Sequence, residues 1–253
     1  MAAVKRLIRA EGTPEAAWRP WLHAQAFAQQ SPSRLMAGAT RLVVLAPHPD
    51  DEVLCCGGLL ALLAGRGAPA LVVGVTDGEK SHAGVAGVDP HALAAQRTAE
   101  RVEGARRLGW GAGTVVRLRL PDAALAAHTD DLVAQLQAML QPTDLVVSTW
   151  RHDGHPDHDA CGLAAAQACA RAGCRHLEAP VWLWNWACPG EPFVPWHRLV
   201  ALPLSAQAQS AKHQALQAHT SQLQPRSASV GPVLGLQMRA CASRPCEYFF
   251  EPA

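Results

Sequence analysis

Hydrophobic and polar positions fall into blocks whose period switches along the chain. Short apolar runs rich in β-branched residues predict buried strands at 41–46 (RLVVLA), 70–76 (ALVVGVT), 114–120 (TVVRLRL) and 144–149 (DLVVST). Longer segments between and after them predict helices over 52–67, 90–109, 129–141 and 158–173. The first and last of these end at glycine, and the second opens at Pro90. Thr13 and Pro14 read as the start of an N-terminal helix running to about residue 29. Further strands are predicted at 179–186 and 197–203, a helix over 205–223, and an edge strand at 246–251.

Strands alternating with helices of this length predict βαβ units and an open, mainly parallel α/β sheet with helices on both faces. The sequence shows no internal repeat, low-complexity tract or linker, so one domain over 1–253 is expected. Its N-terminal helix spans about 14–29, and a C-terminal extension covers about 224–253.

Composition narrows the function. The 253 residues are 49% hydrophobic and 17% charged, with a net charge of +1. That balance argues against disorder, and it gives no field to attract nucleic acid or an acidic membrane surface. No apolar run approaches the roughly 18 residues of a membrane span. The N-terminal residues lack the apolar core of a signal peptide, so a cytoplasmic location is expected. The sequence is silent on oligomeric state. The eight cysteines include the adjacent Cys55 and Cys56 and form no C-x-x-C pair. They read as small buried hydrophobes, with Cys241–Cys246 the one candidate disulfide.

The chemistry concentrates at two strand ends. PHPDDE (47–52) follows the first of the four strands, and WRHDGHPDHDA (150–160) follows the fourth. Sites in open parallel sheets lie outside the carboxyl ends of the strands. A 3-2-1-4 strand order would make these two strands neighbours and turn both clusters into one crevice. His48 and Asp51 offer a nitrogen and an oxygen from one tight loop, and His155 and His158 offer imidazoles from the other. Asp50, Glu52, Asp153 and Asp157 remain as a base or as partners of the ligands. Acids before a helix also suit its dipole. Two His/Asp clusters at equivalent strand ends favour a metal site instead. Zinc suits that donor set, as do Fe(II) and Mn(II). Gly57 and Gly58 come too late for a G-x-G-x-x-G phosphate loop.

PHPDDE with a later HPDH resembles the LmbE-like / PIG-L family of metal-dependent N-deacetylases. The resemblance runs from about residue 40 to 223. It includes TDGE (76–79), RTAE (97–100), LRLPDAAL (118–125) and KHQALQAHTSQ (212–222). It implies a Rossmann-like fold with its site at the carboxyl ends of the first and fourth strands. It also implies zinc-dependent removal of an N-acetyl group from an N-acetylglucosamine-type sugar or glycoconjugate, a small-molecule partner. His48, Asp51 and His158 resemble the family's metal ligands, and Asp50 its general base. His155 resembles the residue that stabilises the oxyanion and protonates the amine. Arg97 and Asp122 stand where the family holds sugar hydroxyls. Glu52, Asp153 and Asp157 are read as supporting residues, with Asp153 or Asp157 expected to bond His155 and keep it protonated. Ala123 replaces the family's usual glycine, which leaves the role of Asp122 open. His219 lies in a segment like the family's late HxSQ, either near the site or on a helix surface. The alternatives are an amidase for longer acyl groups or thiol conjugates, and a non-catalytic sugar- or nucleotide-binding module. Segments 77–90 and 224–245 are expected to shape the pocket, with substrate stacking on Trp150 a lesser alternative to packing.

Overall fold

The apolar runs pair with one another in one sheet. A computed structural model describes residues 6–9, 11–111 and 114–252. The first five residues, part of the segment read as lacking a leader, lie outside them. The strands are β1 (Ala28–Gln29), β2 (Arg41–Ala46), β3 (Ala70–Gly74), β4 (Val115–Arg117), β5 (Asp144–Thr149), β6 (Arg175–Ala179), β7 (Leu199–Pro203) and β8 (Cys246–Phe250). Their order is β1-β7-β8-β6-β5-β2-β3-β4. Among the described residues, only the two pairings of β8 are antiparallel. The strands read as the first and fourth are therefore β2 and β5, and they lie side by side as the 3-2-1-4 order requires.

The main helices are α1 (Glu15–Ala24), α2 (Pro32–Leu35), α3 (Asp51–Ala64), α4 (Pro90–Arg107), α5 (Thr129–Met139) and α6 (Pro156–Ala172). They are followed by α7 (Leu183–Trp186), α8 (Ala206–Leu216), α9 (Thr220–Leu223) and α10 (Leu236–Ala242). Strand side chains alternate between faces. Leu42 and Val44 of β2 accordingly pack with α3 and α8, while Val43 and Leu45 pack with α5 and α6. Cover on both faces explains why β2 and β5 read as continuous apolar runs. A third core gathers Trp18, Trp150, Trp184 and Trp186 with Phe250. Trp150 is a core residue, its ring 4.7 Å from that of Phe250.

Four expectations are corrected. The N-terminal helix stops at Ala24, because the chain leaves it to set Phe27 against Trp21 and Tyr248 and to pair β1 with β7. Tertiary packing overrides the helical preference of the Ala/Gln-rich segment. The strand expected at 179–186 lies at 175–179, and Leu183–Trp186 is a helical turn. Its buried polar residues hid it: His176 bonds Ser148, and Glu178 accepts two bonds from Arg151. The edge strand β8 is interior, between β6 and β7, so the segment read as an extension completes the sheet. All eight cysteines are free, Cys241 and Cys246 included.

A buried ion pair ties β8 to α8. Lys212 Nζ donates to Glu247 Oε1 at 2.7 Å, and Glu247 accepts the N–H groups of Gly58 and Leu59 where α3 kinks at Cys56. No helix among the described residues is long and apolar enough to cross a membrane.

Candidate active site

Two loops leave the carboxyl ends of β2 and β5 and meet above the sheet. The first is anchored where Pro47 O accepts the N–H and hydroxyl of Thr76 at 2.9 and 2.8 Å. It ends at Asp50, whose φ of 132° is a conformation that non-glycine residues rarely adopt. The second ends at His155, which caps α6 with Pro156 in its first turn. Gly162 lets α6 approach the strand end. A Cβ there would lie 2.6 Å from Thr149 O, so only glycine fits.

Asp51 stands between two histidines. Its Oδ2 lies 3.2 Å from His48 Nδ1 and 3.3 Å from His158 Nε2. Ligands about 2.0–2.1 Å from a tetrahedral zinc are separated by roughly 3.3 Å. Both distances to Asp51 match that span. His48, His155 and His158 also bring one ring nitrogen each within 4.8 Å of one another, as do His48, Asp122 and Asp157 with one ligand atom each.

The remaining nitrogen of each flanking histidine faces a carboxylate. His158 Nδ1 is 2.8 Å from Asp153 Oδ2. His48 Nε2 is 3.2 Å from both Asp122 Oδ1 and Asp157 Oδ2. Such contacts fix ring orientation and tautomer. The carboxylates are themselves held. Asp157 accepts the N–H groups of Ala123 and Leu125, and Asp122 that of Lys80.

Charge follows from this layout. Burial opposes a proton on His48, yet Asp122, Asp157 and Asp51 outweigh it and raise its pKa well above the ordinary value. Burial likewise opposes charge on His158, but Asp51 and Asp153 lift it to about 9. Burial would raise Asp51, but His158 and His48 hold it well below the usual carboxylate range. The pocket is built to hold positive charge against Asp51, whether as protons or as a cation. Burial pushes Asp50 up to about 7, with Arg97 opposing and Asp51 and Glu52 adding to the rise.

His155 departs from expectation. Asp153 is engaged by His158 and Asp157 by His48, so neither carboxylate bonds it. Its Nδ1 instead accepts the N–H of Asp157 at 3.2 Å. That bond leaves the ring proton on Nε2 in the neutral form. Burial, then His158 and His48, push its pKa down to about 3. His155 is thus a neutral N–H donor, its ring stacked on Trp182 at 6.5 Å.

Arg97 also differs. It is 2% exposed, and its guanidinium donates to Gly78 O at 2.9 Å and Pro49 O at 2.8 Å. It lines the cavity as expected, but both guanidinium Nη atoms are engaged in holding the Asp50 loop. Asp122 reaches the cavity, but its oxygens are shared with His48 and Lys80. Ala123 sits at φ 58°, a left-handed conformation that glycine adopts without strain.

The cavity over these groups measures about 550 Å³. Lys80 and Ser81 of segment 77–90 line it, as do 231–235, Gln237 and Met238. Residues that the sequence did not single out complete the rim: Ile8, Arg9 and Glu11 from the N-terminal arm, and Asn185. The Asn185 amide clasps that arm, accepting from Arg9 N at 2.8 Å and donating to Arg9 O at 3.0 Å. A single asparagine in a tryptophan-rich stretch carries no motif, so no sequence signal marks it.

The fold and cluster define a mostly parallel α/β protein with a candidate cation site at the carboxyl ends of its central strands. The chain belongs to the PIG-L family, described as GlcNAc-PI de-N-acetylase, whose model matches residues 43–169. It is 28% identical over 183 residues to a 1D-myo-inositol 2-acetamido-2-deoxy-alpha-D-glucopyranoside deacetylase of Rhodococcus erythropolis, covering 61% of this chain and 60% of the relative. It is 28% identical over 136 residues to a probable N-acetyl-alpha-D-glucosaminyl L-malate deacetylase 2 of Bacillus subtilis, covering 51% and 61%. The match therefore spans about three-fifths of these relatives' length. In fold, it is similar to the zinc-inhibited form of teicoplanin deacetylase Orf2, with a TM-score of 0.64 and 19% identity over 83% of this chain and 97% of that one.

Proposed function

We propose that this chain is a zinc-dependent hydrolase that removes the N-acetyl group from an N-acetylglucosamine-type sugar or glycoconjugate. The observation that carries it is Asp51 Oδ2 set 3.2–3.3 Å from His48 Nδ1 and His158 Nε2, beside the buried carboxyl of Asp50. The deacetylase names of the relatives support the substrate class.

His48, Asp51 and His158 would hold the cation, which when bound would supply Lewis-acid activation of water and of the amide carbonyl. Asp50 takes a proton from the attacking water as the new C–O bond forms. His155 donates its Nε2–H to the developing oxyanion. The C–N bond then breaks, the proton on Asp50 passes to the leaving nitrogen, and acetic acid and the free amine depart, the acid's proton going on to the amine or to solvent. Asp153, Asp157 and Asp122 orient the ligating histidines, while Glu52 and Arg97 hold the Asp50 loop.

The test is metal analysis followed by an amine-release screen over N-acetylated sugars and conjugates, with and without chelator. Zinc, Fe(II) and Mn(II) are compared in reconstitution. Purified protein should carry one equivalent of metal and lose activity on chelation. Asp50→Asn should keep the metal and lose turnover by about 100-fold or more, the scale of a lost general base. Activity that survives complete metal removal, or full turnover by Asp50→Asn, overturns the reading.

A further inference from the structure

Eight buried side-chain nitrogen and oxygen atoms lack a hydrogen-bond partner among the described residues, and seven belong to residues of α3, α4 and α9 with the turn into it. They are Glu52 Oε1, Arg97 Nε, Arg101 Nε and Nη2, both ring nitrogens of His219, and Gln222 Oε1. Buried unpaired polar atoms cost about 1–3 kcal/mol each, so their concentration in one place calls for a role other than stability.

The turn that opens α9 is fastened to α4. Glu100 Oε1 accepts the hydroxyl of Thr220 at 2.7 Å and the N–H of Ser221 at 2.9 Å. Its Oε2 accepts the Ser221 hydroxyl at 2.6 Å. This docking inserts His219, which has no exposed surface, between α4 and α3. The fit is close: a Cβ on Gly104 of α4 would lie 3.0 Å from His219 Nε2. The same Nε2 faces Glu52 Oε1 at 3.8 Å. Glu52 Oε2 accepts the N–H of Asp50 at 3.4 Å and lies 3.4 Å from Arg101 Nε. His219 does not line the cavity. It reaches the reaction only through Glu52 and the backbone of Asp50, the residue at φ 132°. Strained conformations of this kind persist only where the surroundings over-determine them.

We propose that His219 is a positioning residue: its imidazole, packed 3.8 Å from Glu52 with no hydrogen bond between them, backs the side chain that accepts the Asp50 N–H and so keeps the proposed base in its strained, productive conformation. The inference rests on the deacetylase reading above.

The experiment compares His219→Leu, His219→Gln and Gly104→Ala with wild type for bound metal, thermal melting, kcat and KM. His219→Leu should keep one equivalent of metal and a near-wild-type KM. Its kcat should fall about 10- to 100-fold, the scale of a misplacement of about 1 Å. His219→Gln, which restores part of the buried polar volume beside Glu52, should recover part of that loss. Gly104→Ala displaces the ring without removing it, and should lower kcat with KM and metal unchanged. That variant decides the matter if His219→Leu does not fold. An unchanged kcat in both His219→Leu and Gly104→Ala overturns the proposal, as does a loss carried by KM or by metal release. A wild-type protein with no amine release instead refutes the deacetylase reading before any variant is measured.

Discussion

Asp153 Oδ2 accepts the Nδ1–H of His158 at 2.8 Å, and the same carboxylate accepts the backbone N–H groups of Val181, Trp182 and Leu183. One fully buried aspartate thus fixes both a ring proposed to bind the metal and the segment entering α7. Asp153→Asn places an NH₂ group among four donors, so one of those bonds must break. Metal affinity should fall about 10- to 100-fold, as for other lost outer partners of a ligating histidine. Competition with a chromophoric chelator measures it. Wild-type affinity in the variant would show that Asp153 does not orient His158.

Ala123 offers a cleaner stability test. Its φ of 58° is left-handed, where a Cβ is penalised and glycine is at ease. Its N–H still donates to Asp157 at 2.8 Å, so the turn is retained at that cost. Ala123→Gly should stabilise the protein by about 1 kcal/mol and raise the melting temperature. An unchanged or lower melting temperature would mean that the turn relaxes in solution.

The central strands, their order and the two clusters were legible because they are strong local signals. A both-face-buried strand leaves a continuous apolar run, and His48, Asp51, His155 and His158 announce themselves by type and spacing. Arg97 was expected to face a sugar from its place in the family resemblance; it does line the cavity, but only coordinates show its guanidinium engaged by Gly78 O and Pro49 O. His155 was expected to pair with a carboxylate, since two stand within three residues of it. The loop geometry assigns Asp153 to His158 and Asp157 to His48. β6 escaped notice because it carries His176 and Glu178 inward, and no periodicity rule anticipates buried polar groups satisfied by a neighbouring strand. The rim residues Ile8 and Arg9 come from a segment without pattern, brought to the cavity by the Asn185 amide.

His176 gives the fold a pH dependence of its own. Its Nε2 lies 2.8 Å from Ser148 Oγ, between β6 and β5. Burial, partly opposed by Glu178, pushes its pKa down from 6.5 to about 4. The unfolded chain therefore takes up the proton first. Stability from the neutral ring is fully present above about pH 6.5 and is lost as pH falls toward 4. A depression of that size corresponds to at most about 3 kcal/mol. His176→Gln removes the titration while keeping a polar group for Ser148. Urea unfolding of the two proteins, at pH 7 and again near pH 4.5, measures the effect. The wild type should lose more stability between the two pH values, by up to about 3 kcal/mol. Other buried histidines, such as His219, titrate alike in both proteins, so the difference isolates His176. Parallel losses would mean that His176 keeps an ordinary pKa in the folded protein.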